Sequence, residues 1–423
     1  MFKLPSFIKN RDRTSLQQRG PRHLGMDRNL FYVCIALSVL GVLMVYSGSA
    51  IVAVKQDNAP YHYALRQAVW VFLGFIALFI AYKIDYHTLA KLSLPGLIIS
   101  LILLVLVLFV NEGKEVKRWI ELGPFDLQPS EIAKLTLLLY LSSILAKGKE
   151  VKKITQDSIV KHIKTELFPF LGILALVCGL ILLEKDMDTT IMLGLTSLIV
   201  YFVAGSDIVH TLGAILTSLL TAISMGVAMI SEGYRMERIR TFIDFWRSDR
   251  ITDPYSSGFQ FRQILVAIAS GGLFGVGFGE SRQKYHYLGD TAFTDTIFAI
   301  FAEEFGLFGC VILVLLFLFV FLKGYRIAMK SSDRLGFLLA VSITTWLSLQ
   351  AVLHIGANVA LIPINGNTLP FLSYGGSSTI INLTAIGILL NISKGVSTTE
   401  ENKELIPFTR RDRTQLQKFR KRR

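Results

Sequence analysis

The sequence predicts an all-α polytopic membrane protein with about ten transmembrane helices and a long extracellular loop between the seventh and eighth spans. Hydrophobic residues make up 52% of the 423 residues and charged residues only 18%, against about a quarter in ordinary globular proteins. Apolar stretches long enough to cross a bilayer recur along the chain. Lys and Arg gather in both tails and in alternate loops, which is typical of cytoplasmic segments.

The apolar stretches place the spans in chain order. They lie near residues 30–50, 67–83, 93–110, 130–146, 167–184, 188–204, 209–230, 296–322, 336–360 and 377–393. Because an even number of spans returns the chain to its starting side, the basic tails 1–29 and 396–423 are both expected in the cytoplasm. Residues 30–395 are expected to form one membrane domain without a separate soluble domain.

Composition also excludes other classes of protein. The net charge of +13 does not predict nucleic-acid binding, because the basic residues follow the alternation expected of cytoplasmic loops. The three cysteines lie inside apolar runs, which indicates neither a disulfide framework nor a metal cluster. No cleaved signal peptide is expected in the polar, basic N-terminal segment.

Three loops on the predicted outer side are too unusual to be simple connections: 111–129, 231–295 and 361–376. The longest contains a glycine-rich apolar stretch, Ile264–Phe278. Non-helical backbone at membrane depth is tolerated only where protein or a wet cavity satisfies it. We therefore expect this stretch to be an interfacial or re-entrant element lying against the helix bundle.

Ionisable residues inside or beside membrane spans are costly and are candidates for function. Glu131 and Lys134 share a helix face at the start of the fourth span, so they form either a structural ion pair or part of a polar cavity. Asp186 lies in the short turn between the fifth and sixth spans. It belongs either to a tight solvated turn or to the same cavity.

Cations on the predicted outer side form a second group of candidates. Arg118 precedes an interfacial tryptophan and is either a solvated surface residue or a bidentate phosphate ligand. Arg238 and Lys284 lie in the long loop among mixed charges. Such residues either form surface salt bridges or supply donors to a lipid-linked pyrophosphate.

Asp295 lies immediately before the eighth span. It either caps the helix or acts as a base, and the helix N-terminus should favour its ionised form. Of Glu303 and Glu304, about two turns further along, at least one should face the bundle interior. Ser377 begins the last span in a run of small residues, which serves close packing or anion binding.

These motifs together resemble the SEDS family (shape, elongation, division and sporulation), whose members include FtsW and RodA. The resemblance covers about residues 30–395. It rests on Arg118-Trp119, Gln128-Pro129-Ser130-Glu131 with Lys134, Gly258-Phe259-Gln260, Ser270-Gly271-Gly272-Leu273, Gln283-Lys284 with Tyr287-Leu288, Thr294-Asp295 with Ile297-Phe298 and Glu303-Glu304, and Leu369-Pro370-Phe371 through Ser378.

The resemblance implies a peptidoglycan glycosyltransferase that polymerises lipid II. Asp295 matches the family's essential aspartate, the general base that activates the acceptor hydroxyl. The growing glycan leaves its undecaprenyl-pyrophosphate carrier with inversion, which gives a β-1,4 linkage. The substrate-binding residues that follow are Arg118, Glu131, Lys134, Asp186, Arg238, Gln260, Lys284 and Ser377.

The resemblance also implies partners and a location. The expected partners are a class B penicillin-binding protein and other division proteins, and the expected location is the bacterial cytoplasmic membrane at the division septum. No residue is assigned to a metal, and a divalent cation such as Mg²⁺ or Mn²⁺ that bridges a pyrophosphate is compatible with the chemistry.

The chain departs from the family pattern at two places. Lys185-Asp186-Met187-Asp188-Thr189 stands where the family usually has Pro-Asp-x-Gly-Thr, which leaves the role of Asp186 open. Gly289–Phe293 replaces the usual residues before the catalytic pair. Phe371, the basic N-terminal extension and the Arg-rich stretch after Tyr234 favour the division branch over the elongation branch.

Three other functions stay open at this point. An elongation-type, RodA-like polymerase would share the chemistry. A lipid II flippase would use a charged cavity to pass a headgroup. A scaffold for the division machinery would need neither the base nor the cavity.

Overall fold

The computed structural model describes residues 26–110, 118–122, 125–147, 167–205, 213, 215–219, 221–223, 226, 233–248 and 257–404. Nearly all regular structure within these ranges is helical. In chain order the elements are α1 (Arg28–Lys55), α2 (His62–Lys83), α3 (Tyr86–Lys91), α4 (Ser93–Val110), β1 (Ile120–Leu122), β2 (Phe125–Leu127), α5 (Pro129–Lys147), α6 (Phe168–Leu183), α7 (Met187–Ala204), α8 (Gly233–Ser248), α9 (Ser257–Gly271), α10 (Gln283–His286), a 3-10 helix (Gly289–Phe293), α11 (Ile297–Lys330), α12 (Arg334–Asn358) and α13 (Gly376–Glu404).

Eight of the described helices are long and apolar enough to cross a membrane, and α6 is a shorter apolar helix. The eight are α1, α2, α4, α5, α7, α11, α12 and the part of α13 up to Gly395. The predicted span 209–230 is described only in part and is helical at those positions. The all-α polytopic class is therefore confirmed, while the number of ten spans stays a prediction.

The apolar surface of these helices faces outward as well as inward. On α4, Leu97 and Leu104 are buried while Ile102 and Phe109 are exposed. Apolar side chains are expected on the outer surface where lipid surrounds the protein. In water, so large an exposed apolar patch would be unfavourable. The chain is a membrane-spanning protein.

The buried side chains form two clusters. The larger joins α1, α2, α11, α12 and α13, and Trp346 of α12 lies in it. The smaller joins α4, α5, α6 and α7 around residues such as Phe170 and Tyr201, whose rings lie 4.6 Å apart. Helix α12 also packs against α5 and α7, so it connects the two clusters.

Helix α11 is broken at Gly306, which has φ of 65° and ψ of −167°. The glycine-rich segment after α9 fills the break with its own backbone. The carbonyls of Glu303 and Glu304 accept hydrogen bonds from Val276 N at 2.9 Å and Gly277 N at 3.1 Å. In return, Leu307 N and Phe308 N donate to the carbonyls of Gly272 and Leu273 at 2.9 and 3.1 Å, respectively.

This exchange explains how a non-helical segment can lie beside a membrane helix. The protein satisfies its backbone groups, as the bilayer cannot. Close approach requires glycine, because a Cβ atom at Gly271 would overlap the backbone of Ala302. The prediction that Ile264–Phe278 lies against the bundle is confirmed.

The long loop 231–295 is largely helical where it is described, with α8, α9, α10 and the 3-10 helix in it. At the other end of the chain, α13 continues to Glu404, past the predicted domain limit at residue 395. The hairpin of β1 and β2, the α6–α7 turn, the N-terminus of α11 and the α12–α13 loop (residues 359–375) come together at one end of the bundle. We call this end the hairpin end.

Candidate active site

Asp295 lies between the 3-10 helix and α11, and residues of other elements donate hydrogen bonds to the backbone around it. The carbonyl of Phe293 accepts a hydrogen bond from Tyr374 N at 2.9 Å. The carbonyl of Thr294 accepts one from Ser373 Oγ at 2.8 Å, and that of Asp295 accepts one from Asn358 Nδ2 at 3.1 Å. Three successive carbonyls are thus anchored to α12 and to the α12–α13 loop, which fixes where the carboxylate of Asp295 points.

The turn between α6 and α7 brings Asp186 to the same end. Lys185 adopts φ of 65°, which reverses the chain in a few residues. Asp186 is 3% exposed and caps α7 through Thr189 N at 3.2 Å. It also accepts hydrogen bonds from Thr189 Oγ1 at 2.9 Å, Gln128 Nε2 at 3.3 Å and Ser130 Oγ at 3.4 Å. The solvated-turn interpretation of Asp186 is therefore wrong, since the carboxylate is buried and supplied with donors.

Asp188, two residues after Asp186, faces the α12–α13 loop. Its Oδ2 accepts a hydrogen bond from Gly366 N at 2.8 Å. A Cβ atom on Gly366 would lie 3.3 Å from Asp188 Oδ2 and 3.8 Å from Asp295 Oδ2. The two carboxylates therefore flank the same glycine.

Two arginines from different elements complete this cluster. Arg118, just before β1, donates from Nη2 to the carbonyl of Lys185, and its Nη1 lies 4.0 Å from Asp186 Oδ1. Arg238 on α8 donates to the carbonyl of Ile364 at 3.4 Å. Both guanidinium groups interact electrostatically with Asp295. The predicted site residues Arg118, Asp186, Arg238 and Asp295 are thus brought together.

Burial raises the pKa of Asp295 to about 6, and the nearby charge of Asp188 acts in the same direction. Arg238, Arg118 and a hydrogen bond from Thr294 oppose the rise. The helix N-terminus alone would have lowered the pKa of Asp295, and burial, which the sequence does not show, has the larger effect. The carboxylate is still the major form at pH 7, and its pKa suits a general base better than an ordinary aspartate would.

A further carboxyl group lies at the C-terminal end of α6. Glu184 is fully buried. Burial and then the charge of Asp186 raise its pKa to about 9, against the attraction of Arg118. Glu184 is therefore protonated at neutral pH and adds no negative charge to the cluster.

Glu131 and Lys134 form an ion pair of 2.7 Å on the buried face of α5. The ammonium group lies 5.5 Å from the centre of the Trp346 ring, a cation–π distance. The neighbouring Ser130 donates to Asp186, so this pair adjoins the carboxylate cluster through the first turn of α5. The predicted pairing is confirmed, and a role in a substrate cavity stays a prediction.

Lys284 lies in a second polar cluster. Its Nζ contacts Gly279 O at 2.6 Å, Ser47 Oγ at 2.8 Å and Glu304 Oε1 at 2.8 Å. These three acceptors use all the donors of an ammonium group. The geometry favours a structural role for Lys284 over the predicted contact with substrate.

Glu303 is also buried, and its carboxylate accepts hydrogen bonds from Ser281 Oγ at 2.5 Å and Arg282 N at 3.0 Å. Both glutamates thus face protein, as at least one of them was expected to do. Together they fasten the segment before Asp295 to α11.

Ser377 and Gln260 complete the predicted set. Ser377 Oγ accepts from Gln128 N at 3.1 Å and donates to Asp126 O at 3.1 Å, so it joins the start of α13 to β2. Gln260 lies half-buried on α9. Substrate contacts of either residue stay predictions.

Asp188, Gly366, Ser373 and Asn358 also belong to this site, and none of them was predicted as a site residue from the sequence. Two of them carried a signal: Asp188 is a carboxylate where the family pattern has glycine, and Ser373 lies in the motif 369–378, where no role was assigned to it. Within the described ranges, no group of three or more His, Cys, Asp or Glu side chains is arranged to hold a metal ion.

Known proteins share this architecture. A family model described as "Cell cycle protein", for the FtsW, RodA and SpoVE proteins, matches residues 27–398. A relative from Geobacter metallireducens, named "Probable peptidoglycan glycosyltransferase FtsW", is 35% identical over 370 residues, 87% of this chain and 94% of the relative. "Stage V sporulation protein E" from Bacillus subtilis is 37% identical over 372 residues, 87% of this chain and 97% of the relative.

This chain is also similar to solved structures of such proteins. One is described as "Structural coordination of polymerization and crosslinking by a peptidoglycan synthase complex"; it is 28% identical, covers 88% of this chain and 99% of its own, and has a TM-score of 0.67. The rod shape determining protein RodA of Thermus thermophilus is 26% identical, covers 88% of this chain and 98% of its own, and has a TM-score of 0.59. The family match and the relatives extend over nearly the whole membrane region, and the chain therefore belongs to the SEDS family of FtsW, RodA and SpoVE proteins.

Proposed function

We propose that this chain is a peptidoglycan glycosyltransferase that polymerises lipid II on the outer face of the cytoplasmic membrane during septal cell division. One observation carries the proposal. The Asp295 backbone is anchored at the hairpin end, and the positive charges of Arg238 and Arg118 act on its carboxylate. A base beside cations is what a sugar transfer from a diphosphate carrier requires.

In the proposed reaction, a sugar hydroxyl of an incoming lipid II attacks the anomeric carbon of the growing strand. Asp295 accepts the hydroxyl proton as the new bond between carbon and oxygen forms. The bond between the anomeric carbon and the pyrophosphate breaks, and undecaprenyl pyrophosphate leaves with the bonding electrons. Attack from the opposite face inverts the anomeric centre and gives the β-1,4 linkage.

Arg118 and Arg238 are proposed to hold the pyrophosphate of the leaving group. A guanidinium group binds phosphate oxygens through two parallel N–H donors. Because the two arginines come from different elements, they can contact the diphosphate from two directions while Asp295 faces the hydroxyl. Their positive charge stabilises the negative charge that develops as the bond breaks.

The location and partners form part of the same proposal. The described helices on one side of the bundle end in basic residues such as Lys83, Lys147 and Lys330, which supports cytoplasmic tails and an outer hairpin end. The related solved structure concerns a synthase complex that coordinates polymerisation and crosslinking. A class B penicillin-binding protein is the partner we propose, with other division proteins around it.

A lipid II transporter is the second candidate function. The observation that favours it is the buried Glu131–Lys134 pair in an otherwise apolar bundle, where charges commonly mark a transport route. A transporter would need this pair and would not need Asp295. An elongation-type polymerase differs from the main proposal only in its partner.

The test uses the purified chain with its penicillin-binding partner and labelled lipid II. Asp295→Asn should lower the rate of polymer formation by about a hundredfold or more, because the base is lost while the shape is kept. Asp290→Asn, an exposed aspartate five residues earlier, is the matched control and should polymerise like the wild-type chain.

Translocation of lipid II in liposomes separates the candidates. Headgroup transfer across the bilayer that persists in Asp295→Asn, with no polymer made by the wild-type chain, would establish the transporter. Full polymerisation by Asp295→Asn would remove the proposed base.

A further inference from the structure

The proposed reaction gives no step to Asp188, although this residue and Asp295 lie on either side of Gly366. It occupies the first turn of α7, two residues after Asp186. Side chains two positions apart on a helix diverge, so the two carboxylates serve different surfaces. Asp186 accepts donors from α5 and α7, while Asp188 accepts the N–H of Gly366 in the α12–α13 loop.

This contact bridges two parts of the molecule that both reach Asp295. Gly366 lies 178 residues from Asp188 along the chain. The distances from a Cβ on Gly366 place both carboxylate Oδ2 atoms around the same glycine. The hydrogen bond therefore fixes the separation of the two carboxylates, because the loop that bears Gly366 also anchors the backbone of residues 293 and 294.

Two carboxylates on either side of one glycine repel each other, and this repulsion raises the affinity of Asp295 for a proton. A carboxylate beside another disfavours loss of the second proton, and the two groups then titrate as a pair. Among the charged neighbours of Asp295, Asp188 has the largest effect on the pKa of Asp295 and raises it. The two arginines lower that pKa.

Several packed elements bring other groups to the end of the bundle where Asp295 lies. At this end α12 contributes Asn358, which does not titrate, and His354, which is bonded to Asn367 O at 2.7 Å. The α12–α13 loop contributes Tyr374, whose ring packs on Phe293. The titratable or charged groups of the packed elements include Tyr63 and Arg66 on α2, Arg118 before β1, Asp126 on β2, Glu131 and Lys134 on α5, Glu184, Lys185 and Asp186 in the α6–α7 turn, Asp188 on α7, Arg238 on α8, Asp290 in the 3-10 helix, His354 on α12 and Tyr374 in the loop.

We propose that Asp188 is a positioning residue of the glycosyl transfer: held by the Gly366 N–H, its carboxylate faces Asp295 across that glycine and makes Asp295 the stronger base. The proposal rests on the proposed function of Asp295. A stronger base removes the hydroxyl proton more readily, provided that it is still ionised at the working pH. Asp188 thus acts through Asp295 and does not touch the reacting atoms.

The experiment removes the charge of Asp188 and keeps its shape. Asp188→Asn retains an oxygen that can accept the Gly366 N–H, and Asp188→Ser is a second neutral variant. Asp290→Asn is the control for the loss of one negative charge at an exposed position. Two quantities are measured against pH in the full-length protein with its partner: the rate of lipid II polymerisation, and the labelling of Asp295 by dicyclohexylcarbodiimide, which reacts with protonated carboxyl groups, read by mass spectrometry.

We expect both midpoints to move to lower pH in Asp188→Asn and Asp188→Ser, by about one pH unit, the size typical of a neighbouring carboxylate. Asp290→Asn should leave both midpoints at their wild-type values. The labelling midpoint is independent of turnover, so it decides the matter even in a variant that polymerises slowly. A residue that only supported the fold would lower the rate without moving either midpoint.

Unmoved midpoints in the neutral variants, or an equal movement in Asp290→Asn, would overturn the inference. Failure of the proposed function gives a different result, since then either the wild-type chain makes no polymer or Asp295→Asn polymerises normally, whatever the midpoints of the Asp188 variants are. The two failures are therefore distinguishable.

Discussion

At the scale of single residues, the site depends on backbone anchors as much as on charged side chains. The base can be productive only if its carboxylate is held in one place, since small displacements of a catalytic group are costly. Ser373 illustrates this, because its hydroxyl donates to Thr294 O and accepts from Leu369 N. One buried hydroxyl thus joins the α12–α13 loop to the residue before Asp295.

Ser373→Ala should lower the polymerisation rate by roughly tenfold or more, with little change in the concentration of lipid II needed for half-maximal rate. The substitution leaves the Thr294 carbonyl without its donor and frees the segment that carries Asp295. Initial rates over a range of lipid II concentrations provide the measurement. Thr384→Ala is the control, because Thr384 bonds only within its own helix, to Ile380 O at 2.7 Å. Equal rates for the two variants would show that the anchor has no catalytic role.

The sequence indicated Asp295, Asp186 and Arg118 as candidate site residues because each lies in a recognisable local motif. It could not predict the role of Ser373 within the motif 369–378 or the position of Asp188, because both depend on contacts between segments far apart in the chain. The direction of the pKa shift of Asp295 could not be predicted from the sequence for the same reason. A helix terminus is visible in the sequence, whereas burial and a second carboxylate are not.

At the scale of elements, the broken helix α11 is the most unusual feature. Hydrophobicity predicts one long apolar span there, and a single glycine in an apolar run gives little sign of a break. The neighbouring glycine-rich segment predicted a re-entrant element, and its packing against α11 explains the break. Each piece supplies the hydrogen bonds that the other lacks.

Gly306→Ala should lower the melting temperature of the purified protein in detergent. The φ of 65° and ψ of −167° at Gly306 form a conformation that essentially only glycine adopts, so a residue with a side chain loses about 1–3 kcal/mol there, and the added Cβ would overlap the backbone of Leu273. Gly179→Ala is the matched control. Gly179 lies inside α6, and a Cβ there would meet no atom within 4 Å.

The control should melt at or slightly above the wild-type temperature, because alanine is the better helix former. Polymerisation by Gly306→Ala should also fall, since the first part of α11 carries Asp295 at its start. A melting temperature equal to that of Gly179→Ala would mean that the break at Gly306 is not required.

At the scale of the whole molecule, the arrangement of charges gives the two ends of the bundle different roles. The hairpin end gathers acidic and basic side chains from segments throughout the chain, while the opposite end carries the basic termini of α2, α5 and α11. Hydropathy and the distribution of Lys and Arg predict this polarity from the sequence. The way in which the segments meet at the hairpin end depends on helix packing, which hydropathy does not specify.

The polarity makes a direct prediction about orientation. Asp290 and Ser332 are exposed residues at the two ends of α11. In a background in which Cys34, Cys178 and Cys310 are replaced by alanine, Asp290→Cys should react with a membrane-impermeant maleimide in intact spheroplasts. Ser332→Cys should react only after lysis, because the basic loops hold its end of the helix in the cytoplasm. The reverse pattern would place Asp295 on the cytoplasmic side, away from the outer face on which strands are proposed to grow, and would contradict the extracytoplasmic site.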